Sequence, residues 1–219
     1  MKRRLLVGAC VSVCLAGAGC GGSGETKVSS ASLDPRLLPS SSVPHFGLQR
    51  KLDWSDPVNL VGEGLALPQR THPAQAVKEF TGAHFKGAAG EDLTSGAGPE
   101  ETVVRVGVAQ FKSPADAEHV RDWMHREDLQ QPCYSQCSFA PAAVNLSGVP
   151  GARFVVQTGH VPPPPGAPAG AHVLGPANYL AEFTVGPYLY WAVLQGNAGA
   201  QSAFESGLKL YYAHAKQAA

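Results

Sequence analysis

Between Thr102 and Phe111 apolar and polar positions alternate, with Val104, Val106 and Val108 on one side and Arg105 on the other. A period of two marks a strand with one face in the core. The period then changes. Ser113-Pro114-Ala115-Asp116 joins an N-cap serine, a first-turn proline and an acid at the third position, which together open a helix. Ala117, Val120, Trp123 and Met124 give that helix an apolar face as far as about Gln130. A turn at Val149-Pro150-Gly151 leads into a short strand over Arg153–Thr158. Asn178–Val185 and Tyr188–Gln195 predict a hairpin through Gly186-Pro187, since Tyr179, Ala181, Phe183 and Val185 alternate with Glu182 and Thr184. Phe204, Leu208, Tyr211, Tyr212 and Ala215 share one face of a closing helix over about Ala200–Lys216.

Upstream the pattern is weaker. Phe46–Leu52 and Val58–Leu67 are expected to hold short strands around the turn Asp53-Trp54-Ser55-Asp56-Pro57. Thr71-His72-Pro73 starts a helix with Thr71 as N-cap and with Ala76, Val77 and Phe80 on its apolar face. Gly82–Pro99, rich in Gly and Ala and otherwise polar, reads as an exposed loop. The order is an irregular β/α start followed by β-α-β-β-β-α. This predicts an α+β domain with a single, mostly antiparallel sheet and helices packed largely on one face. A doubly wound parallel sheet does not fit, because the last three strands follow one another without helical crossovers.

The chain opens with Met1-Lys2-Arg3-Arg4, a fourteen-residue apolar run from Leu5 to Ala18, and small residues before Cys20. That layout is a secretory signal over residues 1–19. The run falls short of the roughly 20 residues that cross a bilayer. Cys20 after Gly17-Ala18-Gly19 matches a lipobox, in which the thiol is acylated, for example with palmitate, and becomes the new N-terminus. Ala16-Gly17-Ala18 also satisfies the cleavage pattern of ordinary secretion. Residues 20–45, mostly Gly, Ser, Thr and Pro, are expected to be a disordered tether, and 46–219 a single domain.

Five cysteines less Cys10, Cys14 and Cys20 leave Cys133 and Cys137. An even remainder in an oxidising compartment favours a disulfide. Their spacing is one residue too long for a thioredoxin-type redox pair, and no second Cys/His pair completes a zinc set. Without Lys2, Arg3 and Arg4 the count falls from 17 basic residues to 14 against 17 acids, a formal charge of −3. No basic run is present, so nucleic acid is excluded as an expected partner.

No linear catalytic signature is found: no Gly-x-Ser-x-Gly, Ser-x-x-Lys, His-Glu-x-x-His or phosphate loop. His119 and His125 are six apart on a helix, about 120° around its axis, and read as a solvated face rather than metal ligands. No metal and no cofactor are expected. The Pro-rich insertion at 159–177 reads as a surface loop.

Tyr188, Tyr190, Ala192 and Leu194 alternate with Leu189, Trp191 and Val193, so this strand is apolar on both faces. Either both faces are covered, or one stays open as an aromatic platform. The candidate surface is Tyr188, Tyr190 and Trp191, with Tyr211 and Tyr212 near it, and would suit an apolar ligand or a partner.

The lipobox, the Gly/Ser tether, the Ser-Pro-Ala-Asp-Ala helix start, the close Cys pair, Gly-Val-Pro-Gly-Ala before a strand and the closing Tyr-rich hairpin and helix resemble small actinobacterial envelope lipoproteins. The layout is also similar to extracellular sensor domains of actinobacterial serine/threonine kinases, and more distantly to PsbP-like lipoproteins. The close cysteine pair departs from the wider pairing of the kinase sensors. The resemblance implies binding or sensing rather than catalysis, and it transfers no site residues. The expected protein is a non-catalytic, lipid-anchored accessory domain on the extracytoplasmic face of the cell membrane. Its expected partners are the membrane, through the anchor, and an envelope protein or apolar small molecule. The alternatives are an envelope hydrolase whose site is scattered along the chain, and a structural component of a membrane complex.

Overall fold

The computed structural model describes residues 27–43, 46–65, 72–95, 102–130, 138–160 and 174–219. Cys20, Cys133, Cys137, Thr71 and residues 161–173 of the Pro-rich connection lie outside the described residues. The expected lipidation, disulfide and loop therefore rest on the sequence.

Seven strands form one sheet in the order β1-β2-β3-β7-β6-β5-β4, every neighbouring pair antiparallel. They are β1 (Gly47–Trp54), β2 (Gly87–Ser95), β3 (Thr102–Gln110), β4 (Ser138–Ala143), β5 (Arg153–His160), β6 (Leu174–Val185) and β7 (Tyr188–Asn197). Three longer helices join them: α1 (Pro73–Gly82), α2 (Pro114–Asp128) and α3 (Gln201–Gln217). The fold is the expected α+β type with an antiparallel sheet.

Local chemistry accounts for the best-defined elements. Ser113 caps α2, its hydroxyl oxygen accepting from the Asp116 amide at 3.2 Å. The β6–β7 turn pairs Val185 with Tyr188 around Gly186, whose φ of +58° is open to glycine at little cost. Strand alternation then makes two cores. On one face α1 and α2 cover Trp54, Phe111, Leu189 and Trp191. On the other, α3 packs with Val106, Val108, Tyr179, Phe183 and Tyr190. Gly107 faces Trp191 across β3 and β7, and a Cβ there would sit 2.1 Å from the indole, so the close packing requires glycine.

The structure corrects the sequence expectations at four places. Gly82–Pro99 is no exposed loop, because residues 87–95 form β2 between β1 and β3. Its acids misled: Asp92 is held by Arg105 at 2.6 and 3.0 Å and by Arg50 at 3.0 Å, while Ala88, Ala89 and Leu93 are fully buried. Val58–Leu67 is no strand. Asp56 caps a helical turn at Pro57–Asn59 that runs into a π-helical turn at Leu60–Gly64. β4 was not legible from the sequence, and Pro141 within it suits its edge position.

The fourth correction concerns the expected tether over 20–45. Within it, residues 27–43 form an arm of 3₁₀ turns on the α3 face, with Leu33, Leu37 and Leu38 buried in the core. Three leucines supply the apolar area that a tether lacks. Polar ties add to it: Lys51 donates to Asp34 at 3.0 Å, and His214 lies 3.0 Å from the Pro35 carbonyl. The arm enters beside the start of β2, where the Val28 amide donates to the Lys86 carbonyl at 3.0 Å.

Candidate functional site

The expected aromatic platform is not open. β7 lies between β3 and β6, and its aromatic residues are covered on both faces. Tyr190 is fully buried and stacks on Phe183 with ring centroids 5.0 Å apart. Trp191 is buried on the opposite face against Trp54. Tyr188 is half-buried beneath the Arg36 guanidinium, 3.8 Å from the ring centroid. Tyr212 is half-buried edge-on to Phe183. Of the five candidates Tyr211 lines a cavity on the α3 face.

That cavity has a volume of about 600 Å³. Its floor comes from alternate residues of three neighbouring strands: Leu93 of β2, Val104 and Val106 of β3, and Ala192 and Leu194 of β7. Register places Leu93 beside Val104, Val104 beside Leu194, and Val106 beside Ala192. One wall is α3, and the other is formed by Leu38, Val43 and Phe46 of the arm and its continuation into β1. Neither β2 nor the arm was expected from the sequence, so the arm's wall and the β2 edge of the floor were missed, while the rest of the lining lies on elements the sequence predicts.

The helical wall is built small. Ala203, Ser206 and Gly207 line it, and a Cβ built on Gly207 would meet nothing within 4 Å. A mid-helix glycine costs about 0.5–1 kcal/mol relative to alanine. Close packing does not require glycine at this position. Its missing side chain leaves volume in the cavity.

The polar content of the lining is sparse: the hydroxyls of Ser95, Thr102, Ser206 and Tyr211. Tyr211 donates to the Gly107 carbonyl at 2.9 Å, and burial holds its phenol well above its ordinary pKa, with nearby Tyr190 and Glu91 adding to the effect. Ser206 donates to the Ser202 carbonyl at 2.9 Å. Among the described residues no His, Cys, Asp, Glu, Lys or Arg lines the cavity. The lining thus holds no paired nucleophile and base, and its chemistry is that of apolar burial.

A further set of titratable groups lies on the other face. Glu182 is buried under α2 beside Asp128, and its carboxyl is pushed well up by burial, then by the charge of Asp128 and a hydrogen bond with it, against the pull of Arg121. Burial and the neighbouring like charge thus favour the protonated form of the Glu182 carboxyl. Gln157 donates to the Asp128 carbonyl at 2.9 Å, and Asn178 to Gln157 at 3.3 Å. This network fixes the C-terminal end of α2 to β5 and β6. His119 lies 2.8 Å from Glu79 of α1. His125 is half-buried, with burial and then Arg153 lowering its pKa. Among the described residues no group of three or more His, Cys, Asp and Glu is placed to hold a metal.

No protein-family model matches the sequence, and no curated protein does. A solved structure is similar: the extracellular domain of PknH from Mycobacterium tuberculosis, with a TM-score of 0.55 at 14% identity, covering 88% of this chain and 100% of that one. The chain shares its fold, which fits the layout resemblance to kinase sensor domains. An uncharacterised Mycobacterium smegmatis protein, a Rv0999 ortholog, superposes with a TM-score of 0.37 at 11% identity, over 85% of this chain and 95% of its own. That superposition is too loose to show a common fold. No described helix is long and apolar enough to cross a membrane.

Proposed function

We propose that the chain is a non-catalytic exported lipoprotein of an actinobacterial cell envelope, serving as a binding or sensing domain for an apolar small molecule. The cavity carries this reading: about 600 Å³ lined almost wholly by hydrocarbon, with an unfilled helix position at Gly207. Its volume falls in the range of about 300–1,000 Å³ usual for small-ligand pockets. The basic–apolar start ending at Cys20, the even cysteine remainder and the fold shared with an extracellular domain support export.

The test is binding of Nile red, an uncharged polarity-sensitive dye, to the mature protein. Fluorescence should rise and shift blue on saturable binding, and Gly207→Phe should weaken binding at least tenfold while the fold, checked by circular dichroism, persists. Saturable binding that is indifferent to Gly207→Phe and to Ala203→Leu would place the dye elsewhere and remove the proposal.

A further inference from the structure

The polar groups of the cavity are not scattered. Ser95 and Thr102 are opposed residues at one end of the β2–β3 pair, and both are half-buried at the rim. Next inward lie Leu93, Val104 and Leu194, which are buried, and then Val106 and Ala192, also buried. At that inner end the Tyr211 hydroxyl is already committed to the Gly107 carbonyl. The floor therefore runs from hydroxyl to pure hydrocarbon along the strand direction.

From Thr102 to Val106 is four residues, about 14 Å at roughly 3.4 Å each. With carbon–carbon bonds of about 1.5 Å in a zig-zag, that length takes on the order of ten to twelve carbons. The apolar path continues outside. Leu210, which lines the cavity, is exposed. Leu48, paired with Leu93 across β1 and β2, is exposed too. Among the described residues no charged side chain lines the cavity: Lys209 on α3 lies toward Gly148, Glu205 accepts from Gln201 at 2.9 Å, and Glu91, opposite Val106, lies 4.0 Å from Lys51. A carboxylate, phosphate or ammonium drawn in would lose its water and gain no counter-charge from that lining.

We infer that the cavity takes the hydrocarbon chain of a neutral, single-chain amphiphile, tail inward, with an uncharged hydroxyl- or ester-bearing head beside Ser95 and Thr102. The inference rests on the apolar-ligand reading and narrows it to one class. The rim hydroxyls supply donors and acceptors to an uncharged head, while the floor and the small-residue wall of α3 hold the chain.

The experiment displaces Nile red from the full mature protein with four probes that share a twelve-carbon chain, each below its micelle concentration at pH 8. They are 1-monododecanoylglycerol, dodecanoate, dodecyltrimethylammonium and dodecylphosphocholine. The glycerol ester should bind at least tenfold more tightly than any charged probe. Ser95→Ala combined with Thr102→Val should cut that preference to less than threefold. Gly207→Phe, or Ala203→Leu should the first variant not fold, should abolish displacement by the glycerol ester. Equal binding of all four probes, or preference for a charged head, overturns the inference. Nile red bound but displaced by none of them overturns it while the apolar site stands. Failure of Nile red to bind removes both.

Discussion

Three positions show how single residues set the behaviour of this domain. Gly207 weakens its helix without a steric need, so Gly207→Ala should raise stability by about 0.5–1 kcal/mol in urea unfolding, the ordinary helix gain of alanine over glycine. A loss instead would show that the open space beside it is occupied in solution. Glu182 governs the pH response. Its folded pKa is raised, so its stability contribution is complete below the unfolded carboxyl pKa of about 4.3 and is lost as pH rises through the folded value. Urea midpoints should fall between pH 5 and pH 9, and Glu182→Gln should flatten that fall. On the acid side Asp92 acts oppositely. Burial pushes its carboxyl up, but Arg105 and Arg50 outweigh it and hold the pKa below normal. That contribution is present above about pH 4 and is lost as pH falls through the folded value. Stability should therefore peak in mild acid, and a monotonic rise to pH 9 would contradict the assignment of Glu182.

At the scale of elements, legibility followed periodicity. β3, α2, the β6–β7 hairpin and α3 could be read because each repeats one apolar face over several turns or pleats. Ser113 marked the start of α2, and Ser113→Ala should cost about 1 kcal/mol, read as a lower denaturant midpoint at unchanged slope. β2 was hidden because its burial is achieved with Ala, Gly and paired acids. Gly90 accepts the Trp54 ring, and a Cβ there would lie 2.8 Å from it. Composition reports such a segment as polar even though ion pairs across the sheet have neutralised it. The arm was hidden for the opposite reason, since Leu33, Leu37 and Leu38 are outnumbered by Ser and Pro. Of the candidate site, Val104, Val106, Ala192, Leu194 and the α3 wall with Tyr211 were within reach of sequence reasoning because they lie on β3, β7 and α3. The opposite wall and Leu93 were not, because they depend on the arm and β2. Leu37→Ala should cost about 2–5 kcal/mol, whereas a free tether would register no change in thermal melting.

For the whole molecule, the proposed anchor at Cys20 and the proposed bridge can be tested separately. Cys20→Ser should abolish incorporation of labelled fatty acid and release the protein from the membrane fraction or block its processing. Wild-type protein that is soluble and unlabelled would support ordinary secretion. Mass spectrometry of the unreduced mature protein should find Cys133 joined to Cys137, and losing the bond should cost about 2 kcal/mol. The arm's point of entry has a further consequence. It meets the sheet beside Lys86, at the start of nine-residue β2, whereas the rim hydroxyl of Ser95 lies at the other end of that strand, about 27 Å away at 3.4 Å per step. Seven peptide units separate Cys20 from Lys27, a leash of about 25 Å when fully drawn out. With the proposed anchor at Cys20, a body standing upright on that leash would turn its mouth outward, toward whatever lies beyond the bilayer. Loading from the anchoring membrane would then require it to topple, so the length of those seven residues would decide which side of the envelope it could sample.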